Sequence, residues 1–572
     1  MNPIDLIAFA TDYDGTLAHD GRVDSATVAA LERLKASGRW LAMVTGRNLG
    51  DLLEVFDRAN LFDVIVAENG ALLYFPATGE ERPIAPPPPP QLVEALRARG
   101  VAPLVVGRGI IATREPHETT VLACIRNLGL DWQIVFNKGA VMVLAPGINK
   151  ASGLSAALAA FDLAPINTIA IGDAENDLAF LSVSGCGVAV ANALDAVKAT
   201  ADWVTAADHG AGVVEAIDAL IADDARFASL AAERHRIPLG ADGSAALRFA
   251  HGGVLIAGAS GHGKSTLVTA ILEKLAAQGF QTCVLDPEGD YETLQDAVVL
   301  GDASRAPVAD EVLDLLRKAT TNVLVVDMLG IAIADRPRFF ADLLAPIGEL
   351  RRRTARPHWL VADEAHHMLP ASSDTADGVL VAAAASTIYV TVHPEAVRPT
   401  VLAGVGTVIG VGPTAGEVIA SFCRTLDLPP PPVPPPAGRP NEVLFWDRAD
   451  DQPPRWIAAD LPRQERQRHT RKYAEGRLGA DRSFYFRGPS GLLNLRAHNL
   501  SIFMQIADGL DDMTWLWHLR RGDYARWFRD VIKDDDLAAE ADRLTADVGP
   551  ADSRRQLRAM IERRYSAPAE PD

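Results

Sequence analysis

Short runs of Val, Ile, Leu and Ala recur through the first 220 or so residues and alternate with stretches of helical periodicity. Leu41-Ala-Met-Val44 and Val64-Ile-Val66 are apolar throughout and Thr168-Ile-Ala-Ile171 is apolar after its first residue, and with the helical stretches between them they predict βαβ units in a parallel sheet over residues 1–222. Residues 223–252 read as a connector, helical and charged to about Arg236 and then briefly β-like. The alternation restarts at Gly253-Val-Leu-Ile256 and defines a second α/β unit over 253–428. Proline punctuates the chain at 86–90, inside the first unit, and again at 429–436, where an extended, solvent-facing segment is expected. Seven basic residues then crowd between Arg463 and Arg482, so 429–482 reads as a Pro-rich and basic linker. Beyond it, Trp515, Trp517, Leu519, Trp527 and Phe528 sit at spacings that predict the packed faces of short helices, a small module over 483–572. The expected fold class is α/β: two doubly wound parallel-sheet domains and a small α-helical C-terminal module.

Composition narrows the class of protein. At 572 residues the chain exceeds one hydrophobic core, and 48% hydrophobic with 23% charged residues describes an ordinary folded protein. A formal charge of -19 argues against a surface that coats nucleic acid, which needs clustered Lys and Arg. Cys124, Cys186, Cys283 and Cys423 are scattered, without a C-x-x-C pair, and suit buried thiols in a reducing compartment. With no basic leader and no run of about 18 apolar residues, the expectation is a cytoplasmic protein without a membrane partner.

The apolar runs end in chemistry. The first leads into Thr11-Asp12-Tyr13-Asp14-Gly15-Thr16, two carboxylates two residues apart at a strand end. Such a pair divides the work of breaking a phosphate ester: Asp12 attacks phosphorus, while Asp14 protonates the leaving group and later activates water. That chemistry calls for a hydroxyl for the phosphoryl oxygens, a lysine to offset charge and further carboxylates for a divalent cation. Thr45-Gly46-Arg47, Lys150 at the start of a helix, and Gly172-Asp173-Ala-Glu-Asn176-Asp177 supply them in order, each at a strand C-terminal end or a helix start.

This four-part set resembles the haloacid dehalogenase (HAD) superfamily, and its Gly-Asp-x-x-Asn-Asp element resembles the Cof-type, IIB-like branch, over residues 1–222. The resemblance implies a Rossmann-like domain with a small α/β cap at about 74–144. It implies Asp12, Asp14 and Asp173 as the Mg²⁺ shell, Thr45 and Lys150 as phosphate ligands, and Asp177 as the residue that supports the shell or orients Lys150. Arg47, Asn137, Lys138 and the 115–117 loop are candidate substrate contacts.

The second unit opens on Gly258-Ala-Ser-Gly261-His-Gly263-Lys264-Ser265-Thr266, a nucleotide-binding P-loop set between an apolar strand and a helix. Backbone N–H groups would cradle phosphates, Lys264 would reach the β/γ oxygens, and Ser265 would coordinate Mg²⁺. The run His358-Trp-Leu-Val-Ala362 delivers Asp363, suited to the Mg²⁺ shell, and Glu364, suited to polarising a water. His393, after Thr387-Ile-Tyr-Val-Thr-Val392, stands where a γ-phosphate sensor belongs. With Asp286-Pro-Glu-Gly-Asp290-Tyr, these motifs resemble the HerA/FtsK-like ATPases over about 236–425, although His393 replaces the amide side chain common there. Arg398 and Arg424 are the candidates for an arginine finger.

The reading is therefore a bifunctional protein of the HAD and ASCE P-loop classes. It expects a Mg²⁺-dependent phosphatase for a small phosphorylated metabolite, such as a sugar phosphate or phosphoglycolate, fused to an ATP-hydrolysing domain through which an oligomer could form. The alternative is nucleic-acid end processing or a DNA motor, which the charge balance does not favour.

Overall fold

A strand that is apolar at every position has no solvent face, so its sheet must be covered on both sides. Strand Ala8–Thr11, buried throughout, meets that requirement near the centre of the first sheet. The computed structural model describes residues 6–565, apart from 138, 241, 244, 249–251, 293, 319, 372–385, 449–451, 464–482, 492, 533 and 545–548. Among these residues the first sheet runs Trp203–Val204, Cys186–Ala189, Thr168–Gly172, Ala8–Thr11, Trp40–Val44, Val64–Ala67, Leu72–Phe75, Glu80–Pro83. All pairings are parallel up to Val64–Ala67, and the last two strands return as an antiparallel hairpin.

That hairpin corrects the expected cap boundary. Residues 74–83 belong to the core sheet, because Leu72, Leu73 and Phe75 are buried against it and Tyr74 pairs with Ile65. The cap proper is an antiparallel sheet ordered Val105–Val106, Ile110–Arg114, Ala140–Leu144, Gln133–Asn137. Helices Pro90–Ala98 and Glu118–Asn127 cover it through Leu92, Leu96, Val121 and Ile125.

The second sheet runs Ala297–Leu300, Val323–Asp327, Thr282–Asp286, Trp359–Ala362, Thr387–Thr391, Gly253–Ala257, Val405–Val411, Glu442–Asp447, Arg455–Ala458. Strand Thr387–Thr391 thus lies between the P-loop strand and the acidic strand, the order expected of an ASCE-type domain. The domain does not stop at residue 428. After the exposed proline segment the chain returns as Glu442–Asp447, antiparallel to Val405–Val411, because Val443, Leu444 and Phe445 need a covered sheet. Of the expected Pro-rich and basic linker, 429–482, the basic stretch 464–482 lies outside the described residues.

The connector is part of the core. Helix Asp224–Arg234 buries Phe227, Ala228, Ala231 and Ala232, while Arg234 reaches Asp202 Oδ2 at 2.5 Å and the Leu181 carbonyl at 2.9 Å. Strand Ile237–Pro238 then pairs with Ala246–Leu247. One apolar cluster runs from Leu6 and Phe9 through Phe227, Ile237 and Leu247 to Leu275, Phe280 and Val284. The two sheets share a hydrophobic core, and residues 1–462 form one compact unit.

Polar contacts fix that junction. Arg356, 1% exposed, donates from Nη2 to the Asp162 carbonyl at 2.6 Å and to the Arg317 carbonyl at 3.0 Å. His358, fully buried, accepts the Gln281 N–H at Nδ1 (2.8 Å), so its proton is on Nε2, 3.0 Å from Asn167 Oδ1. Asn167 immediately precedes strand Thr168–Gly172, and His358 immediately precedes Trp359–Ala362.

The C-terminal unit pairs Phe484–Phe486 with Leu495–Ala497 and packs five α-helices, from Leu500–Gly509 to Pro550–Tyr565, around Phe484, Phe503, Trp515, Tyr524 and Trp527. Its His518 is a strut, with Nδ1 on Asp523 Oδ2 at 2.9 Å and Nε2 accepting the Arg487 N–H at 3.1 Å. No helix among the described residues is long and apolar enough to cross a membrane.

Burial, reinforced by Arg356 and Arg351, pushes His358 down to about 3. Below the ordinary histidine range of about 6.5 the unfolded chain binds a proton that the folded chain refuses, so His358 costs stability as pH falls toward 3. The slope is about 1.4 kcal/mol per pH unit. Chemical denaturation of wild type and His358→Gln between pH 7 and 4 should show wild type losing its advantage at that slope; a pH-independent difference would contradict this.

Candidate functional site

The first site is assembled by strand ends. Asp12 follows Ala8–Thr11 and is held there by its N–H on the Ile171 carbonyl at 3.0 Å. Lys150 opens helix Lys150–Ala159, whose start is fixed by a capping box between Asn149 and Ser152. From there Lys150 Nζ donates to Asp12 Oδ1 at 2.6 Å and Asp177 Oδ1 at 2.5 Å, with all three side chains buried. The second oxygen of Asp177 accepts the N–H groups of Asp173 and Ala174 at 2.8 and 2.9 Å. Thr16 Oγ1 donates to Asp173 Oδ1 at 2.9 Å.

Burial raises Asp12 well above the usual carboxylate range; Lys150 opposes this and the Asp177 charge adds to it. Burial pushes the Lys150 ammonium down, yet Asp12 and Asp177 override it and hold Lys150 above the ordinary lysine range. Asp12, Asp173 and Asp177 bring oxygens within 4.8 Å of one another, a hard donor set that suits Mg²⁺. Asp177 is already committed to Lys150 and two N–H groups.

Asp14 departs from the expected metal shell. Both of its carboxylate oxygens are held by Arg47, Nε to Oδ2 and Nη2 to Oδ1, each at 2.6 Å. A carboxylate three residues beyond the strand end has left the parallel ladder, and here a guanidinium fork captures it. Thr45 is buried, with its Oγ1 accepting the Arg47 N–H at 3.1 Å, so the hydroxyl and the guanidinium come from one turn.

Sequence reasoning missed Glu68. This buried carboxylate accepts from Asn48 Nδ2 and from the N–H groups of Arg108 and Gly109 at 3.1, 3.0 and 2.8 Å, which pins a cap loop to the core. A buried acid in an apolar context was its only signal. Of the expected substrate contacts, His117 Nε2 lies 3.0 Å from the Ala102 carbonyl within the cap, and Lys138 is outside the described residues. Asn137 ends a cap strand, its amide oxygen buried with no hydrogen bond from any described residue.

The second site follows strand Gly253–Ala257. Gly261 and Gly263 take left-handed φ values of 84° and 94°, which turns the loop from Gly258 into helix Lys264–Ala277, with Ser265 and Thr266 in its first turn. Lys264 Nζ donates to the Gly258 and Ala259 carbonyls at 2.9 and 3.1 Å. Burial lowers Lys264, and Glu364, Asp363 and Glu288 offset that only in part. Ser265 Oγ donates to Asp290 Oδ2 at 3.3 Å, a partner the motif did not reveal. Asp363 is buried and raised well above the carboxylate range by that burial, then by Asp286, Glu364 and Glu288.

Glu364 sits at φ 47° with Oε2 3.4 Å from His366 Nδ1, which in turn lies 3.0 Å from Thr391 Oγ1. Thr391, rather than His393, therefore occupies the strand end nearest Glu364's neighbour. His393 is largely exposed and contacts Glu395 Oε1 at 3.2 Å. A cleft of about 760 Å³ borders the loop, lined by Gly258, Ser260, His393, Glu395, Glu417 and Arg424. Arg398 is buried instead.

A buried Asp–Lys–Asp bridge at the strand ends of a capped parallel sheet defines a phosphohydrolase-type α/β domain, joined to a P-loop domain. Residues 9–101 and 133–217 match the haloacid dehalogenase-like hydrolases, and 248–337 match the central domain of the helicase HerA. A phosphoglycolate phosphatase of Methanothermobacter thermautotrophicus is 31% identical over 219 residues, 37% of this chain and 96% of that protein. A second, from Methanoculleus marisnigri, is 26% identical over 227 residues, 37% and 95% of the two chains. A haloacid dehalogenase-like hydrolase structure from Bacteroides thetaiotaomicron is 24% identical, spans 37% of this chain and 98% of its own, and has a TM-score of 0.33. Through its N-terminal domain the chain belongs to the haloacid dehalogenase-like hydrolases, and that phosphatase domain is fused to a HerA-like one.

Gly70 tests how Lys150 is placed. At φ 106°, a methyl there would lie 2.0 Å from the Asn149 carbonyl oxygen and 3.3 Å from Lys150 N. Gly70→Ala should push the Asn149–Lys150 turn away from Asp12 and lower phosphate-ester turnover about 100-fold, the scale of a 1 Å misplacement. Steady-state kinetics alongside a circular-dichroism melt will check it; near wild-type turnover in a folded variant would count against this role.

Proposed function

We propose that the chain is bifunctional: a Mg²⁺-dependent phosphatase for a small phosphorylated metabolite, and an ATP-hydrolysing P-loop domain. The observation that carries the first half is the Lys150 bridge between Asp12 and Asp177. Asp12 forms the bond to phosphorus as the ester P–O bond breaks, giving an aspartyl-phosphate. Asp14 gives a proton to the departing oxygen, then takes one from the water that releases phosphate. Thr45 and Lys150 hold phosphoryl oxygens, and Asp177 keeps Lys150 aimed. Mg²⁺, held by Asp12 and Asp173, would supply charge neutralisation at the phosphoryl group. Similarity to phosphoglycolate phosphatases supports a metabolite of that size.

In the second half, Gly258–Thr266 binds the triphosphate, Lys264 meets the β/γ oxygens, Ser265 and Asp363 hold Mg²⁺, and Glu364 orients the attacking water. The interposed strand Thr387–Thr391, which sets the acidic strand one position away from the P-loop strand, supports hydrolysis. His393, exposed beside the cleft, is retained as a contact to the nucleotide's terminal phosphate.

The match to the HerA central domain favours one second reading, nucleic-acid end processing or DNA movement. Both are tested by phosphate release from phosphoglycolate, a hexose phosphate and a 3′-phosphorylated oligonucleotide, with ATP hydrolysis followed in parallel. Asp12→Asn should abolish metabolite turnover and spare ATP hydrolysis, and Lys264→Ala should abolish ATP hydrolysis. Turnover of the oligonucleotide alone would replace the metabolite reading with the nucleic-acid one.

A further inference from the structure

Resting on the reading of Asp12 and Asp14 as the phosphoryl-transfer pair, we propose that Arg47 is the specificity-determining residue of the phosphatase site. Its guanidinium reads a carboxylate on the substrate's leaving group, so that the site selects phosphorylated hydroxy acids over neutral phosphate esters.

A guanidinium carries five N–H donors in a rigid plane. Asp14 takes two of them, one on Nε and one on Nη2. The remaining three, both on Nη1 and the second on Nη2, meet no acceptor among the described residues. They form the end-on edge of the fork, the geometry that binds a second carboxylate with two parallel hydrogen bonds. The plane is held by two contacts, the Asp14 fork and the Tyr13 ring 5.3 Å beneath Cζ. At 28% side-chain exposure Arg47 is anchored yet open to a ligand.

Its position decides what it can read. The backbone N–H of Arg47 bonds to Thr45 Oγ1, the hydroxyl assigned to a phosphoryl oxygen, and its side chain holds Asp14, the residue assigned to the leaving oxygen. A leaving group in contact with Asp14 therefore carries its next two or three atoms alongside the same guanidinium. A carboxylate there gains a charge-assisted, bidentate contact, while a sugar hydroxyl gains a single neutral one. If Arg47 served only to position Asp14, one paired edge would suffice, and its loss would slow every ester alike.

The test compares kcat/KM of the full-length protein for phosphoglycolate, its neutral counterpart 2-hydroxyethyl phosphate, and p-nitrophenyl phosphate. Wild type, Arg47→Met and Arg47→Lys are used, with melting temperature as the check on folding. Wild type should prefer phosphoglycolate to 2-hydroxyethyl phosphate by about 100-fold. Arg47→Met should erase most of that preference, mainly through KM for phosphoglycolate, and Arg47→Lys should restore part of it. Equal losses on all three esters, or no preference in wild type, overturn the proposal and leave Arg47 a positioning residue. Hydrolysis of none of the three by wild type overturns the phosphatase reading itself.

Discussion

Burial of the connector between two parallel sheets is the constraint on which the unit 1–462 depends. Phe227, Ala231, Ile237 and Leu247 place apolar surface against both domains, and Phe280 is sandwiched edge-on between His235 and His358. Each large side chain fully buried there is worth roughly 1.5–3 kcal/mol. Against that gain stand buried polar groups that must be matched one by one. His358 satisfies both ring nitrogens; Arg356 caps two carbonyls with Nη2, while its Nε and Nη1 are buried without a hydrogen bond to any described residue. The His358–Asn167 and Arg356–Asp162 bonds could not exist in an isolated phosphatase or P-loop domain, because Asn167 and Asp162 lie in one and His358 and Arg356 in the other.

The junction also determines how the sites are held. Asn167 and His358 join the starts of two strands whose opposite ends deliver Asp173 and Asp363. Arg356 touches the turn at Asp162, just beyond the helix that Lys150 opens. The two candidate sites are thus separate centres at the C-terminal ends of strands that are pinned together at their beginnings. Strands buried in close-packed sheets transmit displacement rather than absorb it, so neither site rests on a scaffold independent of the other.

What the sequence made legible follows from where the information lies. Parallel strands are apolar throughout and end in motif residues, so Asp12, Thr45, Lys150, Asp173, the P-loop and Asp363-Glu364 could be placed on both sheets from local pattern alone. The hairpin at 72–83 and the strands at 442–458 were misassigned because they pair antiparallel at sheet edges, where a strand's membership depends on a distant neighbour. The Arg47–Asp14 fork, the Glu68 clamp on the cap, the Ser265–Asp290 contact and the His358–Asn167 bond share that trait. Each is a side-chain pairing between residues 25 or more apart, and no spacing rule encodes it.

The two lysines show why similar ligands call for different settings. Lys150 is matched by two carboxylates at hydrogen-bond distance, and with Asp173 close by the pocket holds three carboxylates against one ammonium. A phosphate dianion entering a pocket this rich in carboxylates meets repulsion unless a divalent cation comes with it, which is the electrostatic argument for the Mg²⁺ proposed at Asp12 and Asp173. Lys264 has the reverse problem. Its ammonium rests on two backbone carbonyls and is pulled down by burial, with no carboxylate among the described residues in direct contact. An anionic phosphate gives that charge the partner it lacks, so binding there gains from the lysine directly. In the first site the lysine is shared between two carboxylates, and in the second it rests on backbone carbonyls.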